Sequence, residues 1–522
     1  MSKNQTILQV LEKSVALFGK NEAIYDGSRR LSYNELWQET QQFAKALISQ
    51  GISKGDKVIV CLPNWHEFVV IYFALARIGA VLIPGNPDEQ NKEWDRILLI
   101  PGVKAVCCSK IDETTETLIR EKLLHNAGQI ITVRFSKRGL LAYDELLKCE
   151  ESIARAEETG QFAKDNLFAI LYTSGSTGTP KGVMLTHANF IYSAANVVNQ
   201  LKSNTSDVFL VPVPFSHVFG LIPGILSVIM AGGRIVTMAK FRADAALNLI
   251  EQEKVTVQFG VPTMFILELN DPTAGMRDFQ SLRTGIMGGA PCPESIVKKI
   301  VAEMGCDIIV SYGSTETAGG VTYTSFDDTE HIRSRTVGRV SQGMEIKIVD
   351  ENRAEVPAGT VGELACRGKG VSKGYYQMQE TTQNVIDNAG WFYTGDLAKI
   401  DDNGYIHLVG RKKDIIIRGG LNIYPHEIEE IFYTHPGVAD IAVVGLPDTV
   451  LGEVTCAAIK LSASHPNETE TTMKDFIQDK VAKCKIPDHI LFIDYFLLSQ
   501  SGKINKKALR ELCHNRLKSV LR

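Results

Sequence analysis

No two cysteines in this chain are spaced Cys-x-x-Cys. Ten cysteines are scattered over 522 residues, with Cys107 and Cys108 adjacent. That pattern argues against a zinc ribbon or a compact disulfide framework and fits a reduced protein. A dominant charge sign is also missing. Lys and Arg number 56 against 60 Asp and Glu, for a formal net charge of −4 and a pI near 6.3. Nucleic acid and anionic membrane surfaces are therefore not expected partners. No apolar run has the length of a membrane-spanning helix, and the longest, Gly220 to Gly233, is broken by Pro223 and several glycines. The first residues lack a basic stretch ahead of an apolar core, and the last, Val520-Leu521-Arg522, are not Ser-Lys-Leu. The expectation is a cytoplasmic chain without a signal peptide. Internal repeats and low-complexity tracts are absent, and nothing in the composition selects an oligomeric state.

What is present is a large apolar fraction, 44% of residues, in a chain too long for one simple domain. Its first part alternates helix and strand signals. Ile7 to Phe18 has helical spacing, Ala23 to Tyr25 reads as a strand, and Ser32-Tyr-Asn-Glu35 is a capping box opening a helix to about Gln50. Lys57 to Leu62 (strand), His66 to Ile78 (helix) and Gly79 to Pro84 (strand) continue the rhythm. This β-α-β order predicts parallel sheets with helices on their faces. Cys61 and His66 read as ordinary fold residues.

The chain is organised around Leu171-Tyr-Thr-Ser-Gly-Ser-Thr-Gly-Thr-Pro-Lys-Gly182. An apolar strand, Leu167 to Tyr172, runs into a loop of glycines and hydroxyls. Gly175 and Gly178 leave backbone N–H groups open; Thr173, Ser174, Ser176 and Thr177 add hydroxyl donors; Lys181 adds a positive charge. Such a loop suits a polyphosphate, but it is not a Walker A loop, whose Gly-Lys-Ser/Thr spacing is missing. Further motifs follow strand signals: Pro214-Phe-Ser-His-Val-Phe-Gly220, Gly288-Gly-Ala-Pro-Cys-Pro293, Tyr312-Gly-Ser-Thr-Glu-Thr317, Trp391-Phe-Tyr-Thr-Gly-Asp-Leu397, the block Gly410-Arg-Lys-Lys-Asp to Glu429, and Ser501-Gly-Lys-Ile-Asn-Lys-Lys507. Val208 to Gly233 holds no Asp, Glu, Lys or Arg. A buried ammonium would need a partner, so a substrate bound there is neutral apart from its own reacting group and partly apolar.

Together these motifs, spread from about residue 170 to the C-terminus, resemble the adenylate-forming superfamily of acyl-CoA synthetases, adenylation domains and beetle luciferases. The resemblance implies an α/β fold. A large N-terminal domain, residues 1–411, would hold parallel-rich sheets, helices and a β-barrel-like region; a small mobile α+β domain would span 412–522. It implies an ATP-dependent, AMP-forming acid–thiol ligase that uses Mg²⁺, a small carboxylic acid and coenzyme A, with a carrier protein as the alternative acceptor. By resemblance, Thr173, Ser174, Gly175, Ser176, Thr177, Gly178 and Lys181 hold phosphates. Glu316, with Thr177, faces Mg²⁺, and Thr315 contacts a phosphate. Gly289, Ala290 and Pro291 border adenine, Ser311, Tyr312 and Gly313 complete the nucleotide site, and Gly288 borders the acyl group. His217 gates the acid pocket. Asp396 accepts from both ribose hydroxyls, since a carboxylate has two acceptor oxygens for a vicinal diol, and Arg411 reaches the ribose. Lys413 stands at the hinge, Gly420 at the pantetheine tunnel, and Lys503 is the adenylation lysine. One departure stands out: Leu497-Leu-Ser-Gln500 replaces the family's Leu-Pro-Arg/Lys-Thr, so the approach to the lysine loop differs. Three other readings share parts of the pattern: a carrier-loading ligase, a luciferase-like oxygenase, and a non-catalytic nucleotide binder free to lose Glu316, Asp396 and Lys503. All three of those residues are present.

Overall fold

The computed structural model describes residues 5–87, 98, 100–124, 128–148, 163–173, 180–290, 292–462, 465–498 and 504–520. Among the expected site residues, Ser174, Gly175, Ser176, Thr177, Gly178, Pro291 and Lys503 lie outside that set.

Local signals set the first helices. Thr6 caps Ile7–Phe18, Ser32 caps Tyr33–Ser49, and Thr186 caps His187–Gln200, each through a reciprocal capping box. Gly79, at φ 71°, ends His66–Ile78 in the left-handed conformation. Every residue of that helix except Arg77 is buried, as expected for a helix enclosed on all sides.

Two large sheets flank these helices. The first runs, in spatial order, Leu141–Ala142, Gln129–Thr132, Val103–Cys108, Lys57–Cys61, Val81–Pro84, Leu167–Thr173 and Lys181–Thr186. It is parallel up to its last hairpin, where Leu167–Thr173 and Lys181–Thr186 pair antiparallel. The second has nine strands. Its parallel centre is Glu22–Tyr25, Arg234–Thr237, Val208–Val211, Val257–Gly260, Thr284–Gly288 and Asp307–Ser314. One continuous core joins inward residues of both sheets, such as Val58, Leu82, Phe209 and Phe259, to the helices between them. Separate cores cover the outer faces. The layering is helix, sheet, helix, sheet, helix.

The region expected to be β-barrel-like is, among the described residues, a four-stranded antiparallel meander: Met344–Val349, Gly362–Gly368, Phe392–Ile400 and Ile406–Arg411. After it the chain forms a five-stranded sheet built on the long hairpin Val438–Asp448 and Gly452–Leu461, with helices Pro425–Phe432, Glu470–Gln478 and Lys506–Val520 and its own cores. No helix among the described residues is long and apolar enough to cross a membrane. The run Gly220 to Gly233 instead opens as a buried π-helix, Gly220–Ser227, with Pro223 inside it. The wider π spacing accommodates a proline that an α-helix resists.

His66 belongs to the fold, as expected, through a buried cluster. Its backbone N–H and Nδ1 lie 3.0 and 2.9 Å from Asp26 Oδ2. Arg134 pairs with Asp26 and, at 2.7 and 2.8 Å, with Glu67. Burial pushes the Asp26 carboxyl up, but hydrogen bonds from His66 and Ser28 outweigh it and hold the group far below the usual carboxylate range. The Asp26, His66 and Glu67 ligand atoms are close enough for a metal ion, but the guanidinium already supplies the positive charge.

A second buried carboxyl behaves oppositely. Glu268 is fully buried, and Gln258 Nε2 donates to both its oxygens at 2.8 and 2.6 Å. Burial pushes its pKa up to about 8. Gln258 Oε1 has no partner among the described residues; a protonated Glu268 paired with a rotated amide would satisfy both groups. The folded state then holds a proton that the unfolded chain releases near 4.5, so stability falls as pH rises from that value through about 8. Glu268→Gln is expected to remove this slope. Urea midpoints at about pH 5 and about pH 9 measure it; an equal decline in wild type and variant would show that Glu268 titrates normally.

Candidate active site

The C-terminal ends of the parallel strands carry most of the expected site residues, where open α/β sheets place ligands. Thr173 and Lys181 face each other across the hairpin whose connecting loop is the phosphate-loop candidate. The strand Asp307–Ser314 delivers Ser311, Tyr312 and Gly313, then a short 3₁₀ turn, Thr315–Thr317, carries Glu316. Ser314 and Thr317 close that turn with a reciprocal cap. Gly313 has no room for a side chain: a Cβ would lie 1.9 Å from the Gly319 carbonyl oxygen.

Glu316 is held by a residue to which the sequence reading gave no role. The Tyr375 hydroxyl donates to Glu316 Oε1 at 3.0 Å, and Lys181 Nζ lies 5.0 Å from the centre of the same ring. Tyr375 is itself clamped. Met184 N–H donates to Gly374 O at 3.0 Å, Tyr376 N–H donates to Gly182 O at 2.7 Å, and Tyr375 N–H donates to Thr382 Oγ1 at 2.9 Å. Burial, then the Glu316 charge, pushes the Tyr375 phenol well above its ordinary pKa, so it stays a donor. One tyrosine thus sets the geometry of both the expected metal carboxylate and the expected phosphate lysine.

Asp396 is built the same way. It sits in the strand Phe392–Ile400 opposite Arg411. The Tyr312 hydroxyl donates to Asp396 Oδ2 at 2.8 Å, and Arg411 Nε lies 3.1 Å from Oδ1. The Tyr312 ring packs with Val321, Met344 and Ile348, so in this arrangement it orients the carboxylate from within a core. Asp396 is nearly buried while Arg411 is exposed.

His217 lies just before the π-helix, accepting from Phe219 N–H through Nδ1 at 3.2 Å. Gly289, at φ 86°, and Ala290 are half-buried after the strand Thr284–Gly288. Gly288 is tight, since a Cβ would lie 2.7 Å from Ser311 O. The Ser311 side chain turns toward Tyr323. Thr315 is buried within its turn.

Lys413 occupies the 3₁₀ turn Lys412–Asp414, between the strand ending at Arg411 and the next sheet beginning at Ile416. Gly420 forms the tip of the hairpin Ile416–Arg418 and Leu421–Ile423 at φ 82°, and among the described residues, chain neighbours aside, no atom lies within 4 Å of a built Cβ. The lysine loop has a described stem: Leu498 bridges Ile504, and Asn505 N–H donates to Leu497 O at 2.8 Å. The helix Pro425–Phe432 also meets the start of the helix Glu294–Met304 through Glu430, whose Oε2 accepts from Glu294 N–H at 3.4 Å. Burial pushes that carboxyl up to about 7.

The family model described as AMP-binding enzyme matches residues 11–376, and its C-terminal domain model matches 427–503. The chain belongs to the AMP-binding enzyme family. YngI of Bacillus subtilis (strain 168) is 38% identical over 536 residues, covering 97% of each chain. The medium-chain fatty-acid–CoA ligase of Escherichia coli (strain K12) is 35% identical over 494 residues, covering 93% of this chain and 86% of that one. Among solved structures, ATP-bound MatB from Rhodopseudomonas palustris superposes with a TM-score of 0.88 at 29% identity, covering 98% of this chain and 99% of MatB. As an AMP-binding enzyme the chain has both matched regions in order, and the tyrosine-held carboxylates fall in or beside them.

Tyr375→Phe keeps the ring near Lys181 and deletes the hydrogen bond to Glu316. A hydrogen bond to a charged group contributes about 1.5–3 kcal/mol, so turnover is expected to fall roughly tenfold or more, with the melting temperature lowered by about a few degrees at most. Tyr375→Leu should lose more. Turnover of the Phe variant equal to wild type would show that the hydroxyl is idle.

Proposed function

We propose that the protein is an ATP-dependent acyl-CoA ligase acting on a neutral, partly apolar carboxylic acid. The observation that carries this is the 35% identity, across 93% of the chain, to a protein named medium-chain fatty-acid–CoA ligase, in a family of AMP-binding enzymes. The absence of Asp, Glu, Lys and Arg over Val208 to Gly233, a mostly buried segment that contains His217, supports the neutral acid. The nine described cysteines are free, which suits a cytoplasmic location.

In the first step a carboxylate oxygen attacks the α-phosphorus of ATP, the bond to the β-phosphate oxygen breaks, and pyrophosphate leaves acyl-AMP behind. Both reactants are anionic, so positioning and charge neutralisation dominate the barrier. Lys181 and the loop Ser174 to Gly178 hold the outer phosphates. Asp396, oriented by Tyr312 and Arg411, accepts from the ribose hydroxyls, with Arg411 beside them. Gly289, Ala290 and Pro291, with Ser311, Tyr312 and Gly313, border the nucleoside, and Thr315 meets a phosphate. His217 stands at the acid's carboxylate end. Glu316 suits Mg²⁺: its Oε1 is fixed by Tyr375, its Oε2 accepts no hydrogen bond among the described residues, and carboxylate oxygen is a fitting donor. Thr177 would share that ion, which when bound offsets phosphate charge. Lys503 bridges the acid and the α-phosphate.

In the second step the CoA thiol, as thiolate, attacks the acyl carbonyl and AMP departs. We divide the chain into residues 1–411 and 412–522, with Lys413 as the hinge. Rotation there withdraws Lys503 and brings Gly420, whose bare tip admits a narrow pantetheine arm, to the acyl group.

Pyrophosphate release over a panel of aliphatic, dicarboxylic and aryl acids, with CoA and with a pantetheinylated carrier protein, tests the reading. Apolar monoacids with CoA are expected to react, and silence across the whole panel would reject it. Lys503→Ala is expected to slow adenylation by roughly 10²–10³ while still converting supplied acyl-AMP and CoA to thioester. Equal loss of both half-reactions would reject the two-state scheme. Lys413→Pro, which fixes φ at the turn, should do the reverse: adenylation survives and thioester formation falls.

A further inference from the structure

The sheet face turned toward the helices between the two sheets grows smaller along its strands. On Thr284–Gly288, Ile286 joins the shared core, and Gly288 follows on the same face. On Asp307–Ser314, Ile309 joins the core, and Ser311 and then Gly313 follow. The neighbouring strand, Gly319–Tyr323, begins with two glycines. Large side chains give way to hydroxyls and bare backbone at the strand ends, beneath the helix His187–Gln200.

Polar atoms collect in that space. Ser311 and Tyr323 are directly opposed across their strands. Both stand over Gly320, where a Cβ would lie 2.2 Å from the Tyr323 oxygen and 2.6 Å from Ser311 Oγ. At Gly319, φ 102°, the one atom among the described residues, chain neighbours aside, that lies within 4 Å of a built Cβ is Ser193 Oγ, at 3.4 Å. Ser193 comes from the covering helix, is fully buried, and its hydroxyl has no hydrogen-bond partner among the described residues. Gly319 and Gly320 are half-buried although Ala318 and Val321 on either side are buried, so an opening reaches the glycine pair. A buried hydroxyl without a partner is costly unless something supplies one. Gly319 is half-buried, and its built Cβ lies 3.4 Å from that hydroxyl, so this is the side from which a ligand would supply one.

We propose that Ser193, with the Tyr323–Ser311 pair, is the recognition end of the acyl pocket, and that the preferred acid carries a neutral oxygen, a hydroxyl or an oxo group, along its chain. This rests on the acyl-CoA ligase reading and makes it more specific. The site offers hydroxyl donors and acceptors with no charged group among them. It therefore selects an uncharged oxygen rather than a second carboxylate or an ammonium. An unsubstituted chain would leave Ser193 unpaired, and sites built to hydrogen-bond a substrate reject analogues that lack the group.

The test compares kcat/KM, by pyrophosphate release, for straight-chain acids of one length: the unsubstituted parent, the hydroxy acids substituted at successive carbons, and the matching oxo acids. One hydroxy or oxo isomer is expected to exceed the parent by about tenfold or more. Which series contains it distinguishes the hydroxyl from the oxo group. Ser193→Ala and Tyr323→Phe are each expected to reduce that ratio several-fold. Ser193→Ala removes a buried unpaired group and should melt no lower than wild type, so the ratio can be read on a folded enzyme. Preference for the parent over every isomer would overturn the proposal, as would ratios unmoved in both variants. Turnover of the parent with no discrimination leaves the ligase reading standing and sinks this one alone. Silence with every acid sinks both.

Discussion

Two tyrosine hydroxyls hold the active site together, each by donating to a carboxylate from a different sheet. Tyr312, on the nine-stranded sheet, reaches Asp396 on the four-stranded meander. Tyr375, clamped to the last hairpin of the seven-stranded sheet, reaches Glu316 beyond an end of the nine-stranded one. Three sheets are thereby registered to one another at the place where a nucleotide would lie. A hydrogen bond tolerates only a few tenths of an ångström of misfit, so a shift of any one sheet would disturb a carboxylate. Burial keeps both phenols protonated well beyond neutral pH, which preserves the donors.

The glycines near these groups follow from the same crowding. At Gly313 and Gly288 the adjacent strand leaves no room for a Cβ, and at Gly320 two hydroxyls occupy that position. Strand interiors pack with Ile and Val, while strand ends trade bulk for access. The result is a set of strand ends lined by backbone and hydroxyls on a rigid frame. Away from it, buried charge is neutralised in two other ways. Arg134 pairs with Asp26 and Glu67, and Glu268 takes up a proton instead.

Much of this was legible in the chain. The capping box at Ser32, the β-α-β rhythm and the order of the motifs are local patterns, and each appears where expected. The C-terminal helix Lys506–Val520 was not read, because its hydrophobic spacing is diluted by charge and its start overlaps the Lys-rich motif. The π-helix Gly220–Ser227 was not read either, because Pro223 and two glycines hide a helical run. Tyr375, Tyr323 and Ser193 carried no local mark of function. The residues they stand beside lie 59, 12 and 126 positions away in sequence, at Glu316, Ser311 and Gly319.

By itself, then, the sequence determined the residue types that the chemistry needs and the strand–loop order that exposes them. These depend on short-range properties: glycine's freedom, hydroxyl donors, periodic burial. Only the tertiary structure decided which tyrosine holds which carboxylate, and that a buried serine hydroxyl lies beside Gly319. Hydrogen bonds and cavities are made between segments that meet only after the sheets have packed, and no local pattern records which segments those will be.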